Sequence, residues 1–103
     1  MARYLDEAEA RAAGFAVEHD AERQRFALTR EGRVLGTAHY TLLGENGIDF
    51  DGTQVTPEFR GTGLAAILAQ RAFADEIVRG RSIRTSCWFM EGYLARHPEL
   101  RAG

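Results

Sequence analysis

With 103 residues, 45% of them hydrophobic and 27% charged, the chain is expected to fold as a single domain (1–103) around one modest core, rather than as a disordered segment. A formal net charge of −2, no apolar run near the roughly 18 residues of a membrane span and no basic stripe with interleaved aromatics argue against membrane and nucleic-acid partners. The single cysteine, Cys87, excludes an internal disulfide framework and fits a reducing cytoplasmic setting, and the acidic N-terminus reads as neither a secretory signal nor a transit peptide.

Charge is unevenly placed. Residues 1–55 hold six Arg against ten acids, and residues 56–103 hold seven Arg against five. Every basic residue is Arg, so no lysine is available as a nucleophile.

Residues 3–13 are rich in helix formers but poor in large apolar residues, which predicts a short N-terminal helix, an extension outside the main core, ended by Gly14. Phe15 and Val17, then Phe26 and Leu28, alternate with polar or small neighbours and predict two strands around a polar turn. Glu31-Gly32 gives a tight turn into a third strand over Arg33 to Leu43. Asn46-Gly47 suits the two left-handed positions of a type I′ turn and delivers Ile48 to Val55 as an antiparallel fourth strand. The Ala/Leu-rich run from Leu64 to about Arg79 predicts a long helix, covered on two sides and stopped by Gly80. Ser82 to Cys87 follows as a fifth strand parallel to the fourth, and Trp88 to Arg96 as a last short helix.

Between the fourth strand and the long helix lies Val55-Thr56-Pro57-Glu58-Phe59-Arg60-Gly61-Thr62-Gly63-Leu64-Ala65. The first turn of a helix has N–H groups without intrahelical partners and a partial positive charge, so a glycine-rich loop folded over it makes an anion site. Arg60 adds a guanidinium suited to phosphate. The spacing Arg60-x-x-Gly63-x-Ala65 resembles the pyrophosphate loop of the GNAT superfamily, the acetyl-CoA-dependent N-acetyltransferases. The ending Cys87-Trp88-Phe89, then Tyr93-Leu94-Ala95-Arg96-His97-Pro98-Glu99, is similar to that of the minimal GNAT-like proteins of the YjdJ type. Together the two motifs extend the resemblance from about Gly14 to Leu100.

The resemblance implies an α/β (α+β) fold. It has a mixed, mostly antiparallel five-stranded sheet whose fourth and fifth strands splay around acetyl-CoA, a central helix after the phosphate loop and a short C-terminal helix. It implies acetyl transfer to an amine acceptor, small molecule or protein, by a monomer or homodimer. It places the acyl and pantetheine groups against Gln54, Val55 and Thr56, and the pyrophosphate on Arg60, Gly61, Thr62, Gly63, Leu64 and Ala65. One departure stands out: the family's fourth strand usually ends His-Thr-Glu-Val, and here it reads Gly52-Thr53-Gln54-Val55, without either proton acceptor.

Tyr93 is a candidate acid for the leaving thiolate, or a packing tyrosine. Cys87 is a candidate acyl acceptor, or a small apolar lining residue. His97 either meets the nucleotide end of the co-substrate or terminates the helix. His39 reads as packed or solvated; Asp49 and Asp51, which share a strand face, are either a base acting through water or solvated edge charges. One cysteine and scattered histidines offer no metal constellation. The alternative to an enzyme is a non-catalytic acetyl-CoA/CoA-binding module, favoured by the missing carboxylate at Gln54. A nucleotide-binding protein is disfavoured because the loop lacks the Lys-Ser/Thr of a P-loop.

Overall fold

A computed structural model describes residues 3–101. Helix α1 (Glu7–Ala12) is followed by strands β1 (Ala16–Asp20), β2 (Arg25–Arg30), β3 (Arg33–Leu43) and β4 (Gly47–Val55). Helix α2 (Leu64–Ala74), strand β5 (Ser82–Arg84) and helix α3 (Trp88–Arg96) complete the order, and the chain ends in a 3-10 turn (Pro98–Arg101). The strands form one five-stranded sheet in the order β1-β2-β3-β4-β5; β1 to β4 are antiparallel and β5 runs parallel to β4.

Strand alternation puts Phe26, Leu28, Ala38, Tyr40, Ile48 and Phe50 on one face, where all are buried. Leu64, Leu68 and Ala72 of α2 and Met90 and Leu94 of α3 join them in a single core cluster, as expected for a helix with apolar residues round most of its circumference. Two bulges adjust the alternation. Leu35 is an extra residue opposite Leu28 and Thr29, and Asp51 is one opposite His39 and Tyr40. Because of the second, Ile48 and Phe50 face the helices early in β4, and Thr53 and Val55 do so after it.

Four boundaries differ from the sequence expectation, each for a specific physical reason. The N-terminal helix is confined to Glu7–Ala12, started by Asp6, whose carboxylate accepts from the Glu9 N–H at 2.8 Å. The hairpin between β3 and β4 turns on Gly44, Glu45 and Asn46, with Gly44 left-handed at φ +62°, while Gly47 pairs with Leu43. A Cβ at Gly47 would lie 3.0 Å from the Leu43 carbonyl oxygen, so that glycine serves close strand approach rather than a type I′ turn. Helix α2 stops at Ala74, not Arg79, because Asp75 turns extended and its carboxylate takes the Ile77 N–H at 3.0 Å. Asp75 also lies 3.5 Å from His19 Nδ1, and His19 Nε2 lies 2.7 Å from the buried Tyr40 hydroxyl, tying β1, β3 and the helix end together.

The fourth difference shapes the site. Strand β5 pairs with β4 only at Gly47↔Ser82, Ile48↔Ile83 and Asp49↔Arg84. The Asp49 carboxylate then accepts from the Ser86 N–H at 2.9 Å and the Ser86 hydroxyl at 2.6 Å, turning the chain out of the sheet. A last bond from the Cys87 N–H to the Phe50 carbonyl, 3.1 Å, closes the pairing. Beyond it, no strand among the described residues pairs with the second half of β4 on that edge.

Behind the loop, the Tyr4 N–H donates to the Thr62 carbonyl at 2.7 Å. A Cβ at Gly63 would sit 2.4 Å from the Tyr4 carbonyl oxygen, and Gly63 has φ +89°. Gly61 also has positive φ, +78°, but open space around it. Gly61→Ala should therefore cost only the conformational term, about 1–2 kcal/mol. Gly63→Ala adds a backbone clash and should cost on the order of 3 kcal/mol or more. Urea unfolding of the two variants checks this, and equal losses would mean that the Tyr4 contact contributes nothing.

Candidate functional site

Where β4 and β5 part, a cleft of about 700 Å³ opens. One wall is the free half of β4 and its continuation, Thr53, Gln54, Val55, Thr56 and Pro57; the second is Val34 to Thr37 of β3. Arg60 and Ala65 come from the loop and the first turn of α2, and Cys87, Trp88 and Phe89 from the start of α3. The site exists because a strand and a helix N-terminus are both held open at the same edge of the sheet.

Within the loop, Pro57–Phe59 forms a 3-10 turn, and the Arg60 N–H closes it on the Pro57 carbonyl at 3.2 Å. That leaves the exposed Arg60 side chain at the cleft. Helix α2 begins after the left-handed Gly63 with no side-chain cap and no acidic residue in its first turn. Its first N–H groups are thus unassigned donors in a positive field. Thr56 lines the same cleft, while its Oγ1 is buried and without a hydrogen-bond partner among the described residues. A buried hydroxyl left unpaired carries a desolvation penalty. Uncapped helix donors and a guanidinium along an open strand edge fit a phosphate-bearing thioester with an amide-containing arm.

The residues singled out in the sequence divide into three groups. Gln54, Val55, Thr56, Arg60, Ala65 and Cys87 line the cleft. Gly61, Thr62, Gly63 and Leu64 belong to its loop but are not on its wall. Thr62 and Leu64 are buried, the Thr62 hydroxyl donating to the Phe59 carbonyl, and Gly63 backs onto Tyr4. Tyr93 and His97 lie elsewhere. They stack with ring centroids 4.3 Å apart, and Tyr93 is buried with its other face on Phe73. Both open onto a different cavity of about 410 Å³, between the N-terminal segment and the C-terminal turn.

Cys87 Sγ donates to Thr53 Oγ1 at 3.5 Å, and its side chain is half-buried. Arg60 is the one charged side chain lining the cleft among the described residues, which include no group of clustered His, Cys, Asp and Glu able to hold a metal ion. Gly36, Thr37 and Thr53 were not legible as site residues. Their place depends on the β4 bulge at Asp51, which no local pattern announces. Trp88 and Phe89 belong to the C-terminal motif, Trp88 as a spacer and Phe89 as one of its defining residues, but the motif singles out neither as part of the cleft.

A family described as GCN5-related N-acetyl-transferase matches residues 25–102, a span that includes the β4 edge, the loop and α3. The chain belongs to that family. Proteins of this family generally use acetyl-CoA, and the mixed, splayed sheet found here is consistent with their fold. Among curated relatives, Protein NATD1 of Xenopus tropicalis is 29% identical over 83 residues, covering 80% of this chain and 76% of its own length. Protein NATD1 of Mus musculus is 28% identical with the same coverage, and that of Homo sapiens is 28% identical over 80% of this chain and 74% of its own.

Burial raises the Tyr93 phenol above its ordinary value, helped by the nearby Glu99 charge, and burial and the Asp75 charge do the same for Tyr40. A group whose folded value is raised contributes stability that is complete below the unfolded value, about 10 for tyrosine, and is lost as pH rises above it. Stability should therefore hold up to about pH 10 and fall beyond, and Tyr93→Phe should flatten that fall. Unfolding midpoints from pH 8 to 11 check this, and an unchanged alkaline slope in the variant would contradict it.

Proposed function

We propose that the cleft binds acetyl-CoA and that the protein transfers the acetyl group to an amine, by direct attack or through Cys87. The observation that carries the reading is the parting of β4 and β5 beside the uncapped start of α2. It leaves strand-edge donors and acceptors and Arg60 along one open channel. Family membership supports the same chemistry. In this reading the pantetheine arm runs along Gln54, Val55 and Thr56, the pyrophosphate meets Arg60 and the first turn of α2, and the thioester lies beside Cys87. Preorganised donors along that channel hold the thioester in place for attack. Tyr93, stacked between Phe73 and His97, has a packing role.

The second reading, a non-catalytic acetyl-CoA-binding module, is favoured by one observation: no carboxylate lines the cleft among the described residues, and the exposed Gln54 amide on its wall accepts no proton.

Calorimetric titration separates binding from catalysis. Acetyl-CoA and CoA should bind saturably and ATP should not. Arg60→Ala should weaken both CoA forms by about tenfold, the worth of one charge-assisted contact, with thermal stability unchanged. Thr56→Val should hold or raise stability by up to about 1 kcal/mol, because it removes an unpaired buried hydroxyl. Absence of binding would overturn the proposal; binding without transfer to any amine would select the module.

Covalent and direct transfer differ at one atom. Acetyl on Cys87 in the absence of an acceptor, seen by mass analysis and lost in Cys87→Ser together with turnover, is the covalent result. Full activity of Cys87→Ser is the direct one.

A further inference from the structure

We infer that the acceptor is an aromatic amine, already uncharged at neutral pH, held against Trp88 at the mouth of the cleft. The inference rests on the acetyl-transfer reading above and names its substrate class.

The first argument is protonation. An alkyl amine of lysine type, with an ordinary pKa of about 10.4, is free base in only roughly one molecule in 10³ at pH 7. A site that acetylates such an amine needs a base within reach of its proton. No carboxylate and no imidazole lines this cleft among the described residues, and the one charge there, Arg60, repels an ammonium. The neighbouring acids face other duties. Asp49 accepts from the Ser86 N–H and hydroxyl, Asp51 from the Thr41 hydroxyl, and Glu91 from the Thr85 hydroxyl. Glu58 stands exposed on the turn before Arg60, and His39 lies on β3 opposite Gly52; neither is on the cleft wall. An aryl amine needs no such base, because its nitrogen lone pair is shared with the ring and takes a proton only well below neutrality.

The second argument is shape and surface. Trp88 is 84% exposed, although tryptophan is among the residues that gain most from cover. It stands edge-to-face with Phe89 at 6.3 Å between ring centroids, and Val34, 47% exposed, lines the same cleft. An aromatic ring stacked on the indole would cover this apolar rim and point its amino group inward, towards Cys87 and Gln54.

The step balances without a base in the site. The amine lone pair attacks the thioester carbonyl carbon, the C–N bond forms and the C–S bond breaks. The proton left on nitrogen goes to water, and the thiolate takes one from water to leave as CoA thiol. The products are an N-aryl acetamide and free CoA.

The test uses the full chain with acetyl-CoA and three probes: p-anisidine, which is aromatic and neutral; benzylamine, which is aromatic but basic; and spermidine, which is basic and aliphatic. At pH 7, kcat/KM for p-anisidine should exceed that for benzylamine at least tenfold, and the gap should narrow towards pH 9 as benzylamine loses its proton. Trp88→Ala should lower kcat/KM for p-anisidine about tenfold, by more than it lowers kcat/KM for spermidine, which has no ring to stack. Faster turnover of benzylamine or spermidine at pH 7, a gap that ignores pH, or equal losses for p-anisidine and spermidine in Trp88→Ala would overturn the inference. Calorimetry on the same sample keeps the two levels apart. No acetyl-CoA binding removes the proposed function itself, whereas binding without acetylation of p-anisidine removes this inference alone.

Discussion

Everything that is distinctive in this molecule follows from how early β5 leaves β4. Two parallel strands paired along their whole length would close the edge of the sheet and bury the backbone groups of Gln54 and Val55 in a ladder. Here three paired residues are followed by the Asp49 carboxylate, which captures both polar hydrogens of Ser86 and diverts the chain. The diversion is firm because a carboxylate accepting two hydrogen bonds offers more than a single ladder bond would. It sets Cys87 at the fork and starts α3 with Trp88 and Phe89 on the cleft wall. The opening is thus built by specific bonds rather than left by poor packing.

The opposite wall is fixed from behind. The N-terminal segment lies on the loop through Tyr4, and the Tyr4 ring meets Phe15 edge-on, Phe15 meets Phe59, and the Arg30 guanidinium covers both phenyl rings. The residues flanking a short helix that looks dispensable in the sequence thereby support the loop that carries Arg60. Gly63 has two reasons to be glycine, a left-handed backbone and the Tyr4 carbonyl against it, and both concern the support of the loop rather than its open side.

Local chemistry made much of this readable in advance. The strands, the loop before α2 and the last helix follow from alternation, glycine placement and apolar content within short windows. What escaped depends on contacts far apart in the chain. Asp75 is held at the end of α2 by His19 of β1, and Asp49 ends β5 because Ser86 folds back across 37 positions. The same limit applies to the site. Arg60, Thr56 and Cys87 could be picked out by type and position, but Tyr93 and His97 share a motif with Cys87 without sharing its cavity. Successive turns of α3 carry them away from the cleft to another side, a separation that spacing along a sequence does not display.

The account's central claim is that the second half of β4 is an open strand edge that a ligand completes. Amide hydrogen exchange followed residue by residue, with and without acetyl-CoA, tests it most directly. The account predicts slow exchange in the paired first half of β4 in both states. It predicts faster exchange without ligand at those amides of Thr53 to Val55 that face the cleft, at Gly61 and in the first turn of α2, with marked slowing at these positions when acetyl-CoA is added. Uniform protection along β4 without ligand, or slowing confined to the cavity around Tyr93 and His97, would contradict it.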